Sequence, residues 1–168
     1  TNHPLRGAKG AFFEGGIRVP TCAAWPAVIK PDTRSDVALT SVDFMPTFAE
    51  LAGASLPTNQ PVDGRSFTEI LQGKAILQNR AIFWHYPLYL SGAGYNKVLP
   101  VYGTDRMNWR AVPSSVIRKG DYKLIYYYEF DNYKLFNLRE DRSEKNDLAQ
   151  KMPEKAKQLH AELMAWVK

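Results

Sequence analysis

Leu5-Arg6-Gly7-Ala8-Lys9-Gly10-Ala11-Phe12-Phe13-Glu14-Gly15-Gly16-Ile17-Arg18-Val19-Pro20 is the stretch around which the chain is organised. Gly7, Gly10, Gly15 and Gly16 crowd into it. Without a Cβ, glycine takes positive φ and lets backbone come close to a ligand or to another segment. Arg6, Lys9 and Arg18 are interleaved with these glycines, and Glu14 alone opposes them. Two readings stand side by side. One is a glycine turn with solvated cations. The other is a loop that holds an oxyanion with backbone N–H groups and an ammonium. The phosphate-loop spacing is absent, because Lys9 is followed by Gly10 rather than Ser or Thr, and there is no Gly-x-Gly-x-x-Gly. Next comes Val19-Pro20-Thr21-Cys22-Ala23-Ala24-Trp25-Pro26, an apolar run between prolines that reads as a buried strand over Thr21–Trp25.

Asp43 to Leu51 reads as a helix with Asp43 as N-cap and Pro46 in its first turn. Phe44, Phe48 and Leu51 fall on one stripe expected to face a core, and Gly53 ends the helix. Asp63-Gly64-Arg65-Ser66-Phe67 leads into a short helix, Thr68–Leu71, stopped by Gly73. Ala81–Tyr86, Ser114–Lys119, Tyr122–Glu129 and Tyr133–Leu138 read as strands of one four-stranded antiparallel sheet. Gly120-Asp121 suits a type II′ hairpin, with glycine first. Leu88 to Pro113 reads as a long loop of functional character. Arg139 to Asp147 is a charged connector. Pro153–Lys168 is an amphipathic helix whose stripe of Ala156, Leu159, Leu163 and Trp166/Val167 is expected to cover the sheet.

The chain has 168 residues, is 45% apolar and carries a net charge of +5, enough for a globular core with a mild bias toward anionic partners. Its lysines and arginines form no run. No apolar stretch approaches the ~18 residues that suggest a membrane span. The tyrosines of the sheet come without nucleic-acid-type spacing or a basic stripe, which argues against nucleic acid. Cys22, the single cysteine, excludes an internal disulfide and a cysteine-rich metal site.

The ordered series Gly-Ala-Lys-Gly, two aromatics and Glu-Gly-Gly-Ile-Arg-Val-Pro resembles the Gly-Lys-Gly…Glu-Gly-Gly-x-Arg-x-Pro segment of type I sulfatases, the arylsulfatase-like members of the alkaline phosphatase superfamily. Val42-Asp43-Phe44-Met45-Pro46-Thr47, Asp63-Gly64-Arg65-Ser66-Phe67 and the run from Arg118 through Lys134-Leu135-Phe136-Asn137 to Ala149 are similar to later sulfatase segments, so the likeness covers nearly the whole chain. It implies the tail of an α/β catalytic domain over 1–75, then a C-terminal subdomain of antiparallel sheet plus helix over 80–168. It also implies hydrolysis of sulfate esters, a sulfated small molecule or glycan as partner, and a periplasmic or secreted location. By the same resemblance Lys9 contacts the substrate's sulfate.

The resemblance further implies a formylglycine made from Cys-x-Pro/Ala-x-Arg, and calcium. Cys22 lacks the required arginine, since Pro26 stands in its place, and it reads as a buried strand thiol. The nucleophile and metal ligands are therefore expected in sequence preceding Thr1, and the chain by itself is expected to be inactive. Arg6 and Arg18 read either as braces of the loop or as ligand contacts. His85 reads either as a packed, hydrogen-bonded residue or as substrate lining, and Tyr95, Asn96 and Arg106 of the long loop as contacts to the leaving group. His3 and His160 look incidental. The expected Thr21–Trp25 strand would leave an uncovered sheet edge that favours self-association. The alternative function is a non-catalytic module that binds anionic, sulfated glycans.

Overall fold

The run Tyr122–Tyr127 (β5) alternates strictly, and that alternation organises the larger part of the chain. Ile125 and Tyr127 point to one core cluster, with Val116, Phe136 and Phe13, while Leu124 points to the other, with Ile117, Leu135 and the C-terminal helix. A strand with period two and apolar residues on both faces must be covered on both sides. The computed structural model describes residues 2–74, 80–91 and 109–168. They form two compact units, one of Thr1–Pro20 with Ala81–Lys168 and one of Thr21–Arg80. The sequence-based division at 75–80 grouped the opening loop with residues 21–75; in the structure residues 1–20 pack with the sheet.

In the first unit, β1 (Ala81–Tyr86), β4 (Ser114–Lys119), β5 and β6 (Asn132–Asn137) form an antiparallel sheet in the order β1-β4-β5-β6. The hairpin between β4 and β5 pairs Lys119 with Tyr122. Gly120 has φ +58 and Asp121 does not join it at positive φ, the II′ pattern expected from glycine in the first position. β5 ends at Tyr127 rather than Glu129, because Tyr128–Phe130 tightens into a 3₁₀ turn and Asp131 takes φ +42. The ends of the long loop are more regular than expected: β2 (Leu90–Ser91) pairs with β3 (Trp109–Ala111).

One face of the sheet is covered by α4 (Pro153–Val167), with Ala156, Leu159 and Leu163 fully buried. Pro153 opens α4, where a missing N–H costs nothing. Trp166 stacks on Phe83 with ring centroids 4.7 Å apart, near the end of the same stripe. The other face is covered by the opening loop through Phe13, Phe12 and Ala11.

The second unit holds α2 (Phe44–Leu51) and α3 (Thr68–Leu71). Two expectations are corrected here. Thr21–Trp25 is not a strand; it pairs with no strand among the described residues, Cys22 is exposed rather than buried, and the sheet edge invoked for self-association is not formed. An apolar run becomes a strand only where a neighbour takes up its backbone groups. Phe44, Phe48 and Leu51 are also exposed, at 36%, 61% and 41%, so they do not face a core. α2 instead buries Pro46 and Thr47. The reason is polar. Thr47 Oγ1 donates to the Asp43 carbonyl at 2.6 Å and accepts from the Phe67 N–H at 3.1 Å, which ties that side of the helix to the segment leading into α3.

Asp43 does more than cap. It closes a 3₁₀ turn, Ser41–Asp43, and its fully buried carboxylate accepts from the N–H groups of Thr40 and Arg65 and from the Arg80 guanidinium at 2.7 Å. Burial alone would raise the Asp43 carboxyl. Arg80 and the two amides outweigh it and hold the group below its ordinary value. Gly64 is required beside it, since a Cβ there would lie 1.9 Å from the Val42 carbonyl oxygen.

Candidate functional site

The opening loop folds back on itself, and its glycines show why. Ala8-Lys9-Gly10-Ala11 is a turn closed by the Ala11 N–H on the Ala8 carbonyl at 2.9 Å. Gly10, third in the turn, has φ +91, the type II pattern that only glycine meets without strain. Lys9 precedes it and is exposed at the tip. The chain then enters α1 (Glu14–Ile17), a single turn that the sequence reading did not anticipate. The Gly15 N–H donates to the Arg6 carbonyl at 2.7 Å. A Cβ on Gly15 would lie 2.5 Å from that carbonyl oxygen, and one on Gly16 only 2.0 Å from the Ala11 carbonyl oxygen. The Glu-Gly-Gly triplet is therefore the contact by which α1 backs the Lys9 turn.

Under this loop lies a buried charge cluster. Lys123, on the loop-facing side of β5, is 0% exposed. Its ammonium stands 2.8 Å from Glu144 Oε1 and 3.2 Å from Glu14 Oε1, with both carboxylates buried. Arg118 and Arg18 approach Glu14 Oε2 at 3.7 and 3.9 Å. Burial pushes the Glu144 carboxyl up, and the Lys123 charge pulls it back only in part. Arg6 stacks its guanidinium 4.0 Å over the Phe13 ring and donates to the Glu144 carbonyl. Arg6 and Arg18 thus both make bracing contacts within the loop's own surroundings.

The sequence reading passed over Lys123 and Glu144. The signal for Lys123 was available: it shares the parity of Ile125 and Tyr127 and so points inward. Glu144, in the charged connector, carried none.

His85 lies elsewhere. It is exposed, and its Nδ1 is 2.7 Å from the buried Ser115 hydroxyl, which is in turn 2.8 Å from the Tyr128 hydroxyl. His85 and Ser115 share the parity of Phe83 and Ile117, so they belong to the α4 side of the sheet. Lys9 is carried by the loop on the opposite side. The structure therefore does not bring these two residues together. Tyr95, Asn96 and Arg106 lie outside the described residues.

His160 is not incidental. It is tucked against Tyr126 and Tyr133, with ring centroids 4.7 and 5.3 Å away, and its buried Nε2 has no hydrogen-bond partner. Among the described residues, no three His, Cys, Asp or Glu side chains gather as a metal site, and exposed Cys22 stands in no formylglycine context. The described residues therefore do not fit calcium or formylglycine.

The family model of the N-sulphoglucosamine sulphohydrolase C-terminal domain matches residues 8–168. A sulfatase of Formosa agariphila is 34% identical over 99% of this chain, which spans 30% of that protein. An ulvan-active sulfatase of the same organism is 35% identical over 71% of this chain and 21% of its own length. Among solved structures, that of Ps i-CgsB in complex with k-i-k-neocarrahexaose superposes with a TM-score of 0.76 at 25% identity, covering 99% of this chain and 32% of that one. The turn of Lys9, the Glu-Gly-Gly contact behind it, the antiparallel sheet and α4 all lie within the matched span, and the chain belongs to the N-sulphoglucosamine sulphohydrolase C-terminal family of sulfatase domains.

Proposed function

We propose that this chain is the C-terminal part of an enzyme that hydrolyses sulfate esters, and that Lys9 is its contact to the sulfate. The observation that carries this reading is the placement of Lys9: an exposed ammonium at the tip of a glycine turn whose backing is closed to within van der Waals limits. Sulfate-ester cleavage builds negative charge on the departing oxygen. A fixed ammonium nearby stabilises that charge without reorganising at the moment of reaction.

The formylglycine nucleophile and the calcium that the resemblance implies would come from other sequence. Lys9 alone supplies no nucleophile, so the 168-residue chain is expected to release no sulfate from an aryl sulfate. Sulfate release above the buffer rate, abolished by Lys9→Ala, would sink this division of labour.

The substrate class is a sulfated glycan. The relatives support this, one being ulvan-active and one holding a neocarrahexaose. Titration of the chain with a sulfated monosaccharide and its unsulfated parent, followed at the Lys9 and Gly10 amides by NMR, tests it. The sulfated sugar alone should shift these signals, and Lys9→Ala should remove the response. Equal shifts from both sugars would contradict a sulfate contact.

A further inference from the structure

Glu144 is held in a conformation and a location that cost free energy. Its backbone has φ +51, a region that non-glycine residues seldom enter, and its side chain is fully buried. Its contacts reach the opening loop on both sides of the Lys9 turn. Oε2 accepts from the Glu14 N–H at 2.6 Å, and the Glu144 carbonyl accepts from Arg6 Nη1 at 2.8 Å. The neighbouring Ser143 hydroxyl donates to the Pro4 carbonyl at 2.8 Å. The second carboxylate oxygen holds Lys123, which in turn holds Glu14. The segment before the turn and the helical turn after it are therefore both anchored on one residue of the charged connector.

An apolar side chain would fill the same space at lower desolvation cost, but it would leave the Glu14 amide without its carboxylate acceptor and would take from the Lys123 ammonium one of the two carboxylates that face it. We infer that Glu144 is a positioning residue for Lys9: it clamps the loop through the Glu14 amide and the Lys123 ammonium, and so determines where the Lys9 ammonium stands. This rests on the reading of Lys9 as the sulfate contact. A loop released from the clamp samples other positions, and apparent affinity falls by the fraction of time it is out of place.

The test uses Glu144→Gln and Glu144→Ala in the 168-residue chain. Gln keeps an acceptor for the Glu14 amide and loses the charge facing Lys123; Ala loses both. Amide hydrogen exchange at Ala11, Gly15 and Gly16 is compared with exchange at Val116 and Leu124 in the sheet. The loop amides should be accelerated about tenfold more than the sheet amides in Glu144→Gln, and by a larger margin still in Glu144→Ala. Affinity for inorganic sulfate, read at the Lys9 and Gly10 amides against Lys9→Ala as the blank, should weaken roughly three- to tenfold in Glu144→Gln.

If Glu144→Ala fails to fold, Glu144→Gln decides. Unchanged loop exchange in Glu144→Gln overturns the proposal, as does equal acceleration of loop and sheet, which would mark a purely global role. Faster loop exchange with unaltered sulfate affinity overturns it too. If the parent chain shows no Lys9-dependent sulfate response, the sulfate reading of Lys9 falls, and the loop-to-sheet exchange ratio alone decides whether Glu144 holds the loop.

Discussion

Lys123 and Glu144 meet at 2.8 Å with neither side chain exposed to solvent. A second carboxylate, that of Glu14, shares the same ammonium. Removing the cation leaves two buried carboxylates facing each other, whereas removing an exposed cation leaves a group that water can serve. Lys123→Met should therefore cost about 3–5 kcal/mol of stability, the usual loss when one partner of a buried pair is deleted. Lys119 is the internal control: its pair with Glu162 is a third exposed on both sides. Lys119→Met should cost about 0–1 kcal/mol. Urea unfolding of both variants checks the difference, and similar small losses would show that the cluster contributes little to stability.

Gly16 and Ala11 make the second testable contact. A Cβ on Gly16 would sit 2.0 Å from the Ala11 carbonyl oxygen and 2.7 Å from that of Ala8, both of them backbone atoms that no rotamer change can move. Gly16→Ala should therefore separate α1 from the Lys9 turn and expose the bond after Lys9 to trypsin. Gly53 has φ +65 but nothing near its would-be Cβ, so Gly53→Ala carries only a conformational cost of about 1 kcal/mol and should leave the turn intact. Cleavage after Lys9 at the parent rate in Gly16→Ala would contradict the close packing.

The strands, the β4–β5 turn and α4 were legible in the sequence because their signals are local. Tyr122 to Tyr127 is rich in aromatic and branched apolar residues, Gly120 stands where a positive φ is needed, and Ala156, Leu159 and Leu163 recur at helical spacing. The resemblance carried by Lys9 and the Glu-Gly-Gly triplet located the loop, and the carbonyl contacts of Gly15 and Gly16 explain why those residue types stand there. What stayed illegible depends on partners remote in sequence. Glu144 meets Glu14 and Lys123 only once the connector has folded against the loop. The stripe of Phe44, Phe48 and Leu51 was visible as a stripe, but periodicity does not say which face a polar anchor will bury. Here Thr47, bonded to Asp43 and Phe67, settled that question. Thr21–Trp25 misled because apolar composition between prolines is shared by strands and by extended chain without a ladder.

In the Thr21–Arg80 unit the corresponding anchor is the Asp43–Arg80 pair, buried at 0% and 9% exposure. Arg80→Ala should destabilise this unit by about 3–5 kcal/mol. Trp25 lies within the unit, and its indole N–H signal in NMR reports on it. The pH dependence follows from the carboxyl being held below its ordinary value. A depressed folded-state value means that the unfolded chain binds the proton more readily. The stability is therefore complete above the unfolded value of about 4 and is lost as pH falls from there through the folded value. Asp43→Asn should remove that acid-side loss from the Trp25 transition. A Trp25 midpoint with the same acid dependence in Asp43→Asn would assign it to other carboxylates.

His160 gives the opposite case, a half-buried base whose shielded Nε2 disfavours the charged form. Its Nε2 has no partner, and the rings of Tyr126 and Tyr133 flank it from β5 and β6. Burial holds its pKa below the ordinary value, and the Asp131 carboxylate offsets this only in part. Protonation therefore favours the unfolded chain. Stability is complete above the unfolded value of about 6.5 and declines as pH falls from there toward the lower folded value. The helix α4 that carries His160 covers the sheet with Ala156, Leu159 and Leu163, so the loss should appear as weaker docking of that helix. His160→Phe keeps a ring between the two tyrosines and removes the titrating nitrogen. Its midpoint of thermal unfolding should change less than the parent's between pH 7 and pH 5. Equal slopes in the two proteins would mean that the His160 imidazole does not govern stability in this range.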